Sequence, residues 1–159
     1  MNTLQTSAYV ASALLLAACA PRDKRIERLA HELGVLPPRE NCSEPVPVAL
    51  SDSLTLMAVC EKRDIGKVTS ALKRPDGSIA SVSVAWQADS TRLTAVAESV
   101  TAMLRAHVTG ASPIGCVSDA QSRGTAWILH DSVYVVVFRN TFAGDVVLNI
   151  GRGALRCAH

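Results

Sequence analysis

His130 and Asp131 stand side by side, and an imidazole beside a carboxylate is the pairing from which a general base is built. Adjacent residues on a strand or tight turn point apart, however, and no Ser or Cys lies in a recognisable nucleophile motif, so the pair reads as a polar hairpin tip. The other histidines are scattered. His107 falls at the C-terminal end of an expected helix, where the helix dipole favours positive charge, His31 on a short exposed helix, and His159 at the chain end. Four histidines without partners at ligand spacing make no metal site. Gly151-Arg152-Gly153 offers one GxG after an expected strand, but with no helix following it reads as a strand exit and not as a phosphate loop. No catalytic residue, metal or cofactor is expected. An envelope hydrolase using His130, Asp131 or His107 stands as an alternative that requires these groups to converge with a nucleophile or a metal.

The N-terminus is more informative. The first twenty-one residues contain no Asp, Glu, Lys or Arg, and Ala8 to Ala20 reads AYVASALLLAACA, the apolar core of an export signal. A helix of roughly 13 residues reaches about 20 Å, short of the ~30 Å hydrocarbon layer, which favours cleavage over spanning. The run ends in Leu16-Ala17-Ala18-Cys19, which resembles the lipobox of bacterial lipoproteins. That resemblance implies a signal peptide at 1–18, removed by a dedicated peptidase that reads Leu16, Ala17 and Ala18. It also implies a diacylglycerol on the Cys19 thiol and a further acyl chain, such as palmitate, on its new amine. An ordinary secretory cut after Ala20 would place Pro21 just beyond the scissile bond, which favours the lipoprotein route. The remaining alternative is a buried apolar N-terminal helix with Cys19 as a core thiol. Two or three acyl chains, at ~0.8 kcal/mol per buried CH2, give stable anchoring. Ala20, where an inner-membrane retention signal has Asp, resembles an outer-membrane lipoprotein facing the periplasm.

With Cys19 assigned to lipid, Cys42, Cys60, Cys116 and Cys157 remain. An even set in an oxidising periplasm reads as two disulfides, for which three pairings exist. Cys42–Cys60 with Cys116–Cys157 is favoured, because each joins a loop residue to a nearby element end and keeps the halves of the chain separate. The absence of CxxC or interleaved His argues against zinc.

Composition bounds the partners. Hydrophobic residues make up 48% and charged residues 19%, which fits a folded domain and not a disordered tether. Only 4% are aromatic, too few for a broad stacking platform. Of the 16 basic and 14 acidic side chains, four and two fall in residues 22–28, RDKRIER, and the rest balance. A neutral body argues against a nucleic-acid partner, while the basic excess just past Cys19 suits a solvated helix face or anionic headgroups.

The elements follow from periodicity. Asp23 is placed to cap a short helix with Ile26, Leu29, Ala30 and Leu33 on one face and Gly34 as its stop. Residues 35–48, with prolines at 37, 38, 45 and 47, read as an extended strap pinned at Cys42 and available to cover a sheet face. Residues 54–60, LTLMAVC, fit a strand or a helix, with strand preferred. Lys67–Arg74 and Ser78–Trp86 flank the turn Pro75-Asp76-Gly77 as a hairpin. From Ser90 to His107 the period becomes helical, with Leu93, Val96, Ala97, Val100, Met103 and Leu104 in one stripe, Asp89 or Ser90 as cap and Gly110 as stop. TAWILH, SVYVVVFRN and DVVLNIG then read as three strands, the middle one apolar on both faces and so interior. Trp86 and Trp127 are expected as core anchors on neighbouring strands, or as a contact patch if exposed together.

The order β-β-β-α-β-β-β predicts an α+β domain. An antiparallel sheet carries one amphipathic helix on a face, two disulfides brace it, and a short N-terminal helix precedes it. Residues 19–40 are read as lipid-anchored tether and helix, and 41–159 as the domain. The expected function is that of a non-enzymatic envelope lipoprotein with a binding or structural role, engaging a protein or envelope polymer at the membrane surface to which its lipid holds it. A sharper version is an inhibitor or immunity-type protein that inserts a rigid protruding loop into a secreted enzyme. A small-ligand carrier would need an apolar cavity between helix and sheet.

Overall fold

The computed structural model describes residues 24–36, 40–50, 53–119, 122–153, 155 and 157. Cys19 with Leu16, Ala17 and Ala18, the proposed cap Asp23, and His159 lie outside them.

Eight strands form one wholly antiparallel sheet. In chain order the elements are α1 (Arg25–Glu32), β1 (Val46–Leu50), β2 (Ser53–Asp64), β3 (Lys67–Lys73), β4 (Ile79–Gln87), α2 (Leu93–His107), β5 (Ile114–Asp119), β6 (Ser122–Ile128), β7 (Val133–Asn140) and β8 (Asp145–Arg152). The spatial order is β1-β2-β3-β4-β8-β7-β6-β5. Each half of the chain is thus a helix followed by a four-stranded meander, and the order is symmetric about the β4–β8 seam.

Alternation decides which residues face the helices. Val82, Val84, Leu148, Ile150, Val135, Val137 and Trp127 are matched in register across β4, β8, β7 and β6. They form one buried cluster with Leu93, Val100 and Leu104 of α2 and with Ile26, Ala30, Leu33 and Val35 of the α1 region. α1 lies on β4 and β8, and α2 on β7 and β8. The opposite face carries Ser81, Ser83 and Asn149, all partly exposed, the polar-out half of the alternation.

Local chemistry sets the element ends. After α1, Gly34 adopts φ +64°, and its N–H and that of Val35 donate to His31 and Ala30 carbonyls, closing the helix in a Schellman arrangement. Before α2, the Asp89 carboxylate accepts from the Thr91 hydroxyl at 2.6 Å and the Arg92 N–H at 3.0 Å. Those hydrogen bonds, the Thr91 hydroxyl foremost, hold its carboxyl below the usual value. At the Pro75-Asp76-Gly77 turn, the Asp76 carboxylate accepts from the Ser78 N–H at 2.8 Å, and Gly77 takes φ +84°.

Two strands exceed the pattern expected from sequence. β1 contains Pro47, which suggested a strap, but an edge strand has one side without ladder partners and tolerates proline there. β5, IGCVSD, lies at the other edge and shows no clean alternation. Cys116 accordingly sits in a strand and not in a loop. Nor do residues 41–50 cross a sheet face. Ser43 N–H donates to Val59 O, Glu61 N–H donates to Asn41 O, and Cys42 pairs opposite Cys60, so this stretch runs along the edge of β2. Part of the polar face is covered from the other end of the chain, where Leu155 and Cys157 pack with Cys116, Ala126, Val136, Tyr134 and Phe138.

Candidate functional site

The β1–β2 hairpin departs from a closed domain. β2 is twelve residues long, yet only Ala58–Asp64 pairs with β3, while Ser53–Met57 pairs with β1. Five residues of each arm therefore run past the end of β3, about 17 Å at ~3.4 Å per residue. On one side of this ribbon Leu54 stands opposite Ala49 and Leu56 opposite Pro47. All four are exposed, Leu54 at 75% and Leu56 at 53%. The other side is more covered, with Met57 fully buried and Val48 and Thr55 half-buried, although Val46 opposite Met57 is exposed at 46%. A large leucine side chain left mostly in water, beside a second one, is an unmet demand for apolar contact.

The base of the ribbon is braced. Cys42 and Cys60 are joined by a disulfide with their Cα atoms 3.9 Å apart. Backbone hydrogen bonds to Val59 and from Glu61 lie on either side of it. The second disulfide, Cys116–Cys157, holds the C-terminal segment against β5 with a Cα separation of 4.8 Å.

A second surface feature lies beside α2. A groove of about 370 Å³ separates its outer flank from β6 and β7 and is lined by Thr94, Glu98, Arg105, Arg123 and Arg139 among others. A smaller recess on the other flank of α2 is formed by Trp86, Val96 and Val100, with Lys67 Nζ 5.7 Å from the Trp86 ring centre.

His130 is exposed on a 3-10 turn, His130–Ser132, between β6 and β7. His107 is exposed at the end of α2, its Nδ1 2.8 Å from the Met103 carbonyl. His31 is exposed on α1. No three of His, Cys, Asp and Glu converge at metal-binding distance among the described residues. The Gly151-Arg152-Gly153 segment ends β8, with the Gly153 N–H donating to Ser132 O. Trp86 and Trp127 are not on neighbouring strands, because β8 and β7 stand between β4 and β6; both face the helices, Trp127 fully buried and Trp86 partly. They therefore form no shared contact patch. The hairpin escaped the sequence reading because Pro45 and Pro47 mark a strap and a proline-bearing edge strand equally well. The exposed Leu54 and Leu56 were hidden inside an apolar run whose local pattern suits a buried strand.

No helix among the described residues is long and apolar enough to cross a membrane. Comparison with protein-family models gives no match, and comparisons with curated protein sequences and with solved structures give none either.

Proposed function

We propose that the chain is a bacterial envelope lipoprotein, held at the membrane through Cys19 and working by binding a protein partner through the β1–β2 hairpin. The observation that carries the binding half of this reading is the apolar ribbon face of Leu54, Leu56, Pro47 and Ala49, projecting beyond the sheet and braced at its base by Cys42–Cys60. A ribbon held in one conformation loses little entropy on docking, so more of its buried area appears as affinity. The lipobox resemblance supports the membrane half, with residues 1–18 removed and the outer membrane, periplasmic side, as the favoured location.

The same rigidity favours a narrower second reading, an inhibitor or immunity-type protein. A short stiff ribbon with leucines near its tip suits the concave cleft of a secreted enzyme, where a flat partner would engage the wide sheet face instead.

Two measurements test the proposal. Intact mass of the protein from a bacterial membrane fraction, beside a Cys19→Ser variant, should match residues 19–159 plus lipid, and an unlipidated full-length chain would refute the anchor. For the hairpin, a photo-crosslinking residue at Leu56 in living cells should give a discrete adduct. The adduct should be absent with the same residue at Ser83 on the sheet face, and should vanish when Leu54 is replaced by Asp. Equal labelling from both positions would refute the hairpin as the docking element. If the adduct partner is an enzyme, loss of its activity on adding the purified lipoprotein favours the inhibitor version.

A further inference from the structure

Arg123 of β6 and Arg139 of β7 stand directly opposite in register, on the sheet face that carries the helices. Like charges directly opposed across antiparallel strands destabilise a sheet. Here Arg105 of α2 lines the same groove, so three arginines border one space of about 370 Å³. Arg139 is held in place by donating from Nη1 to Thr94 Oγ1 at 2.8 Å. Among the side chains that the structure describes, none of Arg105, Arg123 and Arg139 has a carboxylate within salt-bridge distance, although Glu98 also borders the groove. Both walls of the groove are regular elements, so the cations are presented on a rigid frame.

We infer that this groove binds a phosphate monoester. Three guanidiniums and one carboxylate leave a net charge of two positive units. A phosphate monoester near neutral pH carries almost two negative units, with three acceptor oxygens. A carboxylate, with one charge and two oxygens, would leave half of the positive excess unmatched. Paired guanidinium forks also suit tetrahedral oxyanions, since each presents planar donors for bidentate contact. The opposed arginines, unfavourable in the empty protein, become favourable when an anion lies between them. The groove is separate from the hairpin, and the inference does not depend on what the hairpin docks to.

The ligand's phosphate has two possible sources, a soluble phosphate ester or the headgroup of an anionic lipid, and the experiment separates them. The full chain, purified in mild detergent, is titrated with phenyl phosphate and with benzoate, following thermal midpoint and binding heat. It is also mixed with vesicles of phosphatidylcholine with and without phosphatidic acid. Arg123→Gln and Arg139→Gln are compared with Arg63→Gln, an exposed arginine on β2 that changes the net charge equally. Phenyl phosphate should raise the midpoint, benzoate should do so far less, and each groove variant should lose about tenfold or more in affinity while Arg63→Gln loses little. Without ligand, Arg123→Gln should match or exceed the parent in stability, which a merely structural arginine would not do. Response to phenyl phosphate alone assigns a soluble ester, and an added response to phosphatidic acid vesicles, lost in the same variants, assigns a headgroup. No response to either source, equal response to benzoate, or equal loss in Arg63→Gln would overturn the site.

Discussion

Cys42 and Cys60 lie directly across from one another, Cα to Cα 3.9 Å, close to where β2 stops pairing with β3 and continues alone with β1. The disulfide therefore clamps the edge segment two residues short of Ala58, where pairing with β3 ends. It closes a loop of 18 residues, for which the chain-entropy relation gives about 3 kcal/mol, and about 4 kcal/mol for the 41-residue Cys116–Cys157 loop. Replacing Cys42 and Cys60 together by Ala should lower stability by roughly the first amount while leaving the main sheet intact. In hydrogen exchange, protection should fall chiefly at residues 41–57. An even loss across β6–β8 would contradict a local role for the clamp.

Two leucines separate burial from exposure. Leu104 of α2 is fully buried in the core, and Leu104→Ala should cost about 2–5 kcal/mol through lost transfer energy and a cavity. Leu54→Ala, at a side chain 75% exposed, should stay within about 0.5 kcal/mol. Urea midpoints of the two variants decide this, and a costly Leu54→Ala would mean that the hairpin folds back on the domain.

Two glycines permit close approach between strands for different reasons. A Cβ on Gly124 would collide with the Val137 carbonyl of β7, a backbone group that cannot turn aside. A Cβ on Gly151 would lie 2.5 Å from the Tyr134 hydroxyl oxygen, the far end of a side chain. Gly124→Ala should therefore be the more destabilising, by about 1–3 kcal/mol or more. The cost of Gly151→Ala should shrink in a Tyr134→Ala background, where the clashing ring is gone. A double-mutant cycle on Gly151 and Tyr134 reads this coupling directly.

Burial pushes the Tyr134 phenol above its ordinary value, because the charged phenolate is poorly solvated there. In the unfolded chain the phenol ionises first, so its contribution to stability is present below about pH 10 and is lost as pH rises towards the folded value. Unfolding midpoints measured from pH 8 to 11 should fall more steeply for the parent protein than for Tyr134→Phe. Parallel curves would show that Tyr134 is not the alkaline-sensitive group.

Much of the architecture was legible along the chain, because it depends on local patterns. The helical stripe from Leu93 to Leu104 and the alternation in β4 are periodicities of the chain itself. The turn at Gly77, at φ +84°, needs a residue that tolerates positive φ. Four cysteines left beyond Cys19 implied two disulfides by count, and the structure contains two. The edge strands β1 and β5 were not legible, since edge status depends on which strands stand alongside, and local composition is ambiguous between strap, loop and strand.

The sequence by itself determined an α+β domain with an antiparallel sheet, and it carries the lipobox resemblance at Cys19, because these reside in short runs of residues read in order. Only the tertiary structure decided that β4 pairs with β8. Only it set Arg123 against Arg139 through the register of β6 and β7, and let Leu54 and Leu56 run past the end of β3. The reason is physical: a side chain's own period says which face it shares with its neighbours along the strand. What lies opposite that face, or whether anything does, is settled by partners distant in sequence.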